Sequence, residues 1–125
     1  MTLKLCNGLH CNFFLEENIK AEFIHLSNKE FYTILNKNRS KLKSYIGHKN
    51  LSKRFKVEYN RENTYCTKGD IILVYCGTNR KNATYRKDNG SIKMLILITG
   101  RSEYYSQEKL ENIKQSLIRG EEIWI

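Results

Sequence analysis

The sequence predicts an α+β fold: one domain over residues 1–125, with a mixed β-sheet flanked by about three helices and carrying an inserted β-hairpin. Three observations predict it. Short apolar runs of strand length, such as Ile71-Ile72-Leu73-Val74 and Met94-Leu95-Ile96-Leu97-Ile98, mark central strands. Amphipathic stretches with cap residues lie between and after them. No proline, repeat, linker or low-complexity tract divides the 125 residues, so one modest core is expected.

The elements follow in order. Leu3–Cys6 reads as a short strand ended by Asn7-Gly8. Ala21–Leu26 has apolar residues on both faces and reads as a covered strand, with His25 half-buried within it. Ser27-Asn28-Lys29-Glu30 is a capping box: the Ser27 hydroxyl accepts from the Glu30 N–H, and the Glu30 carboxylate accepts from the Ser27 N–H. Phe31, Ile34 and Leu35 continue it at helical spacing, and the helix fades into the basic run Asn38–Lys43 as a solvated end. A second, short helix starts at Gly47-His48, with Leu51 and Phe55 inward.

Val57–Cys66 and Ile71–Gly77 read as the two strands of a hairpin, with Gly69 free to take positive φ in the turn. Ala83–Lys87 and Ile92–Thr99 read as a further, inserted hairpin around Asp88-Asn89-Gly90, and Met94–Ile98 as the most buried strand. Ser106 caps a last helix with an apolar stripe of Leu110, Ile113 and Leu117, closed by Gly120. Glu121–Ile125 ends the chain as a short strand.

Composition narrows function. With 22 Lys+Arg against 13 Asp+Glu, the formal charge of +9 favours a polyanionic partner. No run is long and apolar enough for a bilayer, and the first residues are too interrupted for a signal peptide, so the expectation is a cytoplasmic protein with no membrane partner. Four cysteines are too sparse for a disulfide scaffold and read as free thiols. Cys6, His10 and Cys11 are close in sequence, but without a CxxC pair or a second histidine cluster no metal and no cofactor is expected.

The chemistry-bearing set is His48, Arg61 and Arg80. An imidazole beside a helix N-terminus feels opposed effects: the dipole lowers its pKa and a bound phosphate raises it, which leaves it near neutrality for proton transfer. Guanidinium forks fit phosphate oxygens and the charge that grows on them. Together they are enough to cut RNA without a metal, through attack by its own 2′-hydroxyl. His10 reads as a second proton donor, a base for the 2′-hydroxyl, or a structural loop residue. Tyr45, Tyr65, Tyr75, Tyr104 and Tyr105 either stack on adenine or fill the core.

In order along the chain, Leu5-Cys6-Asn7, Ile46-Gly47-His48, Asn60-Arg61, Gly69-Asp70 and the apolar strand from Ile71 to Arg80 make a pattern. So does the closing helix, followed by Gly120 and Glu122-Ile123-Trp124-Ile125. The pattern resembles a family of small proteins from viruses of thermoacidophilic archaea, with relatives in bacteria and phages. That family includes the viral anti-CRISPR ring nucleases that degrade cyclic tetra-adenylate. The resemblance covers most of the chain. It implies a homodimer with a cyclic oligoadenylate across the two-fold axis, His48 as proton donor, Arg61 and Arg80 near the phosphates, and Asn7 and the loop after it beside the pocket.

Three departures from the family pattern stand out. Lys49-Asn50-Leu51 replaces the Ser or Thr that usually follows the histidine, and Asn60-Arg61 arrives early. Lys81-Asn82-Ala83 stands where an acidic residue and glycine usually follow the last arginine, with Glu103 as the substitute carboxylate. Ala83–Thr99 is the inserted hairpin, and His10 stands at a position that usually holds a pocket serine. The alternatives are a non-catalytic protein that sequesters a cyclic nucleotide, and a basic DNA- or RNA-binding viral protein.

Overall fold

The computed structural model describes residues 2–7, 13–15, 20–46, 59–60, 64–66, 68–76, 92–100 and 104–123. Among them are the strands β1 (Thr2–Asn7), β2 (Phe13–Leu15), β3 (Lys20–His25), β4 (Leu42–Ile46), β5 (Tyr59–Asn60), β6 (Thr64–Cys66), β7 (Asp70–Cys76) and β8 (Ile92–Thr99). The α-helices are α1 (Asn28–Lys37) and α2 (Gln107–Ile118). The class is α+β, with two α-helices among the described residues. The expected helix from Gly47 lies outside them, as does the 83–87 arm of the expected hairpin.

Six strands form one mixed sheet in the order β3-β8-β7-β1-β4-β5, and β2 pairs with β6 in a separate two-stranded sheet. β7, β1, β4 and β5 are parallel to their neighbours in that group, while β8 runs antiparallel to both β7 and β3. The 92–99 arm is therefore a central strand of the main sheet, held between β7 and β3. Its Leu95 and Leu97 are fully buried, as the unbroken apolar run requires.

Alternation along the strands separates two faces. Leu3 and Leu5, Ile71 and Leu73, Leu95 and Leu97, and Ile24 belong to one cluster with Phe31, Ile34 and Leu35 of α1 and Leu110, Ile113 and Leu117 of α2. Cys6, Ile72, Val74, Ile96 and Ile98 form the second cluster. The helices cover the first face because their apolar stripes recur at helical spacing.

Local signals set the helix ends. The capping box at Ser27 forms both bonds, Glu30 N–H to Ser27 Oγ at 3.1 Å and Ser27 N–H to Glu30 Oε1 at 2.9 Å. Ser106 caps α2 by accepting from the Lys109 N–H at 3.2 Å. Gly120 takes φ 76° past the end of α2, a backbone that a Cβ would strain and that sits against Lys37.

Several expectations change. α1 does not fade into solvent. It ends at Asn38, which is fully buried; its Nδ2 donates to the carbonyls of Ile34 (2.7 Å) and Leu117 (2.8 Å), and so ties the last turns of both helices together. A 3-10 turn, Arg39–Lys41, then leads directly into β4, where the sequence predicts a solvated basic helix end. Val57–Cys66 is not one strand beside β7: β5 joins the main sheet next to β4, and β6 joins β2. The pattern gave two strands but not their partners, since pairing is fixed by distant residues. His25 is exposed: on the sheet's end strand it alternates with Ile24, which belongs to the helix-covered cluster. Residues 121–123 have no regular structure.

Candidate functional site

Parallel strands all finish at the same edge of a sheet. Here that edge carries the ends of β1 at Asn7, β4 at Ile46, β5 at Asn60 and β7 at Cys76. The register makes them neighbours: Asn7 pairs with Tyr75, Cys6 with Ile46, and Ile46 with Asn60. β8 runs the other way, so its first residues are at this edge too, with Ile92 beside Cys76 and Lys93 beside Tyr75. The chain enters α1 here as well, through the bond from the Leu26 N–H to the Lys93 carbonyl at 2.9 Å.

The strand order also reverses here. β4 and β5 extend from one side of β1, while β7 lies on the other. In open sheets of this kind, ligands sit outside the carboxyl ends of the strands, at such a reversal.

Of the residues expected from sequence, Asn7 is the last residue of β1, in the row with Tyr75 and Lys93. His10, His48, Arg61, Arg80 and Glu103 lie outside the described residues. The strands place the points of departure. His10 follows the end of β1, His48 that of β4, Arg61 that of β5, and Arg80 that of β7. Glu103 follows β8, which ends at the opposite edge with Thr99 beside Lys20.

Gly69-Asp70, part of the same sequence pattern, is also at that opposite edge, about 20 Å away along β7 by strand rise. Gly69 takes φ 95° and donates its N–H to the Ile98 carbonyl at 3.0 Å, while Asp70 accepts from Lys4 Nζ at 2.9 Å. Both hold the sheet together rather than bordering the carboxyl edge.

Lys93 was not singled out by sequence. It is 2% exposed, on the helix-covered face. Its Nζ lies 5.0 Å from the Tyr75 ring centroid and 6.0 Å from that of Phe31. The two rings are themselves 5.9 Å apart, and Tyr32 stands edge-on to Phe31 at 5.1 Å. The available signal was parity: Lys93 is in step with Leu95 and Leu97, so a cation occupies a core-facing strand position.

The tyrosines divide in the same way. Tyr75 lines this aromatic wall, Tyr105 is buried under Lys109 Nζ at 3.9 Å, and Tyr104 is 86% exposed. The side chains of Tyr45 and Tyr65 lie outside the description.

A cleft between β3 and α2, lined by Phe23, His25, Gln107, Leu110, Glu111 and Lys114, competes poorly for an anion. Its lysine is bound by Glu30 at 2.8 Å and Glu111 at 3.1 Å, and those hydrogen bonds raise the Lys114 pKa while lowering that of Glu30.

One cysteine expectation fails. Cys6, fully buried, is disulfide-bonded, with its partner outside the described side chains. A count of cysteines weighs the redox compartment, whereas a bridge depends on the proximity that strand pairing creates. Among the described residues, no three His, Cys, Asp or Glu side chains gather as metal ligands, and no helix is long and apolar enough to cross a membrane. No protein-family model and no curated protein matches the chain.

Proposed function

We propose that this chain binds a cyclic oligoadenylate at the carboxyl edge of its sheet and opens the ring without a metal, so countering type III CRISPR signalling. The observation that carries this reading is the alignment of the ends of β1, β4, β5 and β7. Each leads into a segment bearing one member of the expected set: His10, His48, Arg61 and Arg80. The net charge of +9 supports a phosphate-bearing ligand.

In the proposed reaction, a ribose 2′-oxygen forms a bond to the adjacent phosphorus as the bond from phosphorus to the 5′-oxygen breaks. His48 gives its proton to the departing 5′-oxygen, and His10 or water takes the proton of the 2′-hydroxyl. Arg61 and Arg80 stabilise the charge on the phosphate oxygens. The product carries a 2′,3′-cyclic phosphate. The active form is a homodimer in the host cytoplasm, with the ring across its two-fold axis.

Incubation with cyclic tetra-adenylate in EDTA tests the activity. Linear products with 2′,3′-cyclic phosphate ends are expected, and an intact ring at high protein concentration refutes cleavage. His48→Ala removes the proton donor, with an expected rate loss of roughly 100- to 10,000-fold and binding largely kept. Sedimentation measures the dimer.

Sequestration is the second reading. Lys81-Asn82-Ala83 lacks a carboxylate, and the strand before Glu103 ends at the far edge. Tight binding, followed by release of intact ring on denaturation, identifies it.

A further inference from the structure

We infer that the outer edge of β3 pairs with β3 of a second copy of this chain, antiparallel and about a two-fold axis at Phe23, so that the two sheets run on as one. The contact lies apart from the proposed ligand site and goes beyond it. Three observations carry the inference. The first is an open edge. β3 stands at the end of the strand order, and among the described residues it pairs with β8 alone. The Leu26 N–H donates to the Lys93 carbonyl, and Thr99 Oγ1 donates to the Lys20 carbonyl, so the even-numbered backbone groups point to β8. In an antiparallel pair the alternate residues turn theirs away, which leaves the N–H and C=O groups of Ala21, Phe23 and His25 on the outer edge. The β3–β8 register runs without a bulge and the strand has no proline, so two of the devices that blunt an edge are missing.

The second is Phe23. Its side chain is 58% exposed and shares a face with Ala21, which packs on the cluster away from α1 and α2. With Phe23 opposite its own copy, Ala21 meets His25, Glu22 meets Ile24 and Lys20 meets Leu26, so every residue from 20 to 26 has a counterpart. The rows Ala21–His25, Phe23–Phe23 and His25–Ala21 each exchange two backbone hydrogen bonds. The two rings form a cross-strand aromatic pair at the axis.

The third is charge. At +9, copies of the chain repel one another over most contacts. β3 is locally neutral, since Lys20 and Glu22 cancel, and this register sets no like charges directly opposite. The neighbouring register, centred on Glu22, sets that carboxylate against its own copy. On the helix-covered side, Lys20 and Glu22 of the second copy come beside the cleft that holds Glu111 and Lys114, so each sign meets its opposite. The axis stands normal to the sheet, so the two carboxyl edges point in opposite directions and both stay open.

The test is sedimentation equilibrium of wild type and Phe23→Lys over a concentration series without ligand, with far-ultraviolet circular dichroism to confirm folding. Phe23→Lys sets two ammonium groups opposite each other and should weaken the association roughly tenfold or more. A wild-type dimer that becomes a monomer sustains the inference. So does a wild-type tetramer that becomes a dimer, the result expected where the ring-bridging dimer also forms. A monomeric wild type, or a mass unchanged in Phe23→Lys, overturns it, and the second result leaves the ring-bridging dimer standing. Oxidative cross-linking fixes the register. Phe23→Cys should give a covalent dimer, because opposed Cα atoms in a hydrogen-bonded row are about 5.5 Å apart. Lys20→Cys, whose two copies lie at opposite ends of the paired strands, should stay at the wild-type level. A Phe23→Cys protein that cross-links no more than Lys20→Cys overturns the inference. If Phe23→Lys does not fold, Phe23→Ser takes its place, and failure of both to fold overturns it too, since Phe23 would then serve its own chain's packing.

Discussion

The helix-covered middle of the sheet and its carboxyl edge are built from the same strands, yet they obey different rules. In the middle, alternation is strict: Leu3, Leu5, Ile71, Leu73, Leu95 and Leu97 face α1 and α2, all fully buried. Beneath the helices Asn38 Nδ2 is tied to the carbonyls of Ile34 and Leu117, while its Oδ1 is buried with no hydrogen-bond partner among the described residues. One step along β8 from Leu95 on the same face, the apolar series gives way to the ammonium of Lys93 among aromatic rings. On the proposed function, stability and ligand binding divide along the length of each strand rather than between separate elements.

The largest effects test that division directly. Leu97→Ala removes a fully buried side chain and should cost about 2–5 kcal/mol in urea unfolding, with the rate per folded molecule unchanged. His48→Ala should do the reverse, losing cleavage with little change in stability. If Leu97→Ala slows cleavage by a folded protein as much as His48→Ala does, the two regions are not separable.

A smaller effect sharpens the comparison from the far end of the helices. Asn38→Ala should cost about 1–3 kcal/mol, because a buried donor to two carbonyls is lost. Asn38→Asp should cost more, since a carboxylate offers those carbonyls only acceptors. Equal losses for the two would mean that packing, and not donation, is what Asn38 provides. Ligand affinity should be unchanged in both variants once allowance is made for the unfolded fraction.

These positions also show what the sequence made legible. Capping boxes and apolar stripes are local, so α1 and α2 could be read from Ser27, Glu30, Ser106 and Leu110 alone. The apolar runs of β7 and β8 revealed their burial for the same reason. Strand pairing is not local: nothing near Val57 tells that β5 joins β4 while β6 joins β2. β4 was hidden because Leu42-Lys43-Ser44-Tyr45-Ile46 is short and follows directly on a basic stretch, and its strand state is fixed by pairing with β1 and β5. For the site, Asn7 is the expected residue that lies among the described ones, at the carboxyl edge, while Gly69-Asp70 of the same motif order lies at the opposite edge. Lys93 went unnoticed because a lysine in an apolar run reads as a surface residue until the parity of its neighbours is known.

The smallest effect concerns the ion pair that joins the helices away from the edge. Lys114 Nζ lies 2.8 Å from a Glu30 oxygen, and this hydrogen bond, helped by the Ser27 N–H, holds the Glu30 pKa below its ordinary 4.5. A carboxyl with a lowered native pKa contributes stability that is fully present above the unfolded value and disappears as the pH falls through the native one. The matching rise at Lys114 gives a contribution present below its ordinary 10.5 and lost at higher pH. Glu30→Gln keeps an oxygen for the Ser27 N–H and removes the charge. It should therefore cost about 0.5–1 kcal/mol at pH 7 in urea unfolding, the range of a partly exposed pair. The gap between wild type and Glu30→Gln should narrow as the pH falls below about 4.5 and close once wild-type Glu30 has taken up its proton in the folded protein. A gap that does not narrow at all as the pH falls would locate the loss in the cap's hydrogen bond instead. Ring affinity, measured at neutral pH, should not follow either result, since this contact serves the closed face of the sheet and not the edge where the parallel strands end.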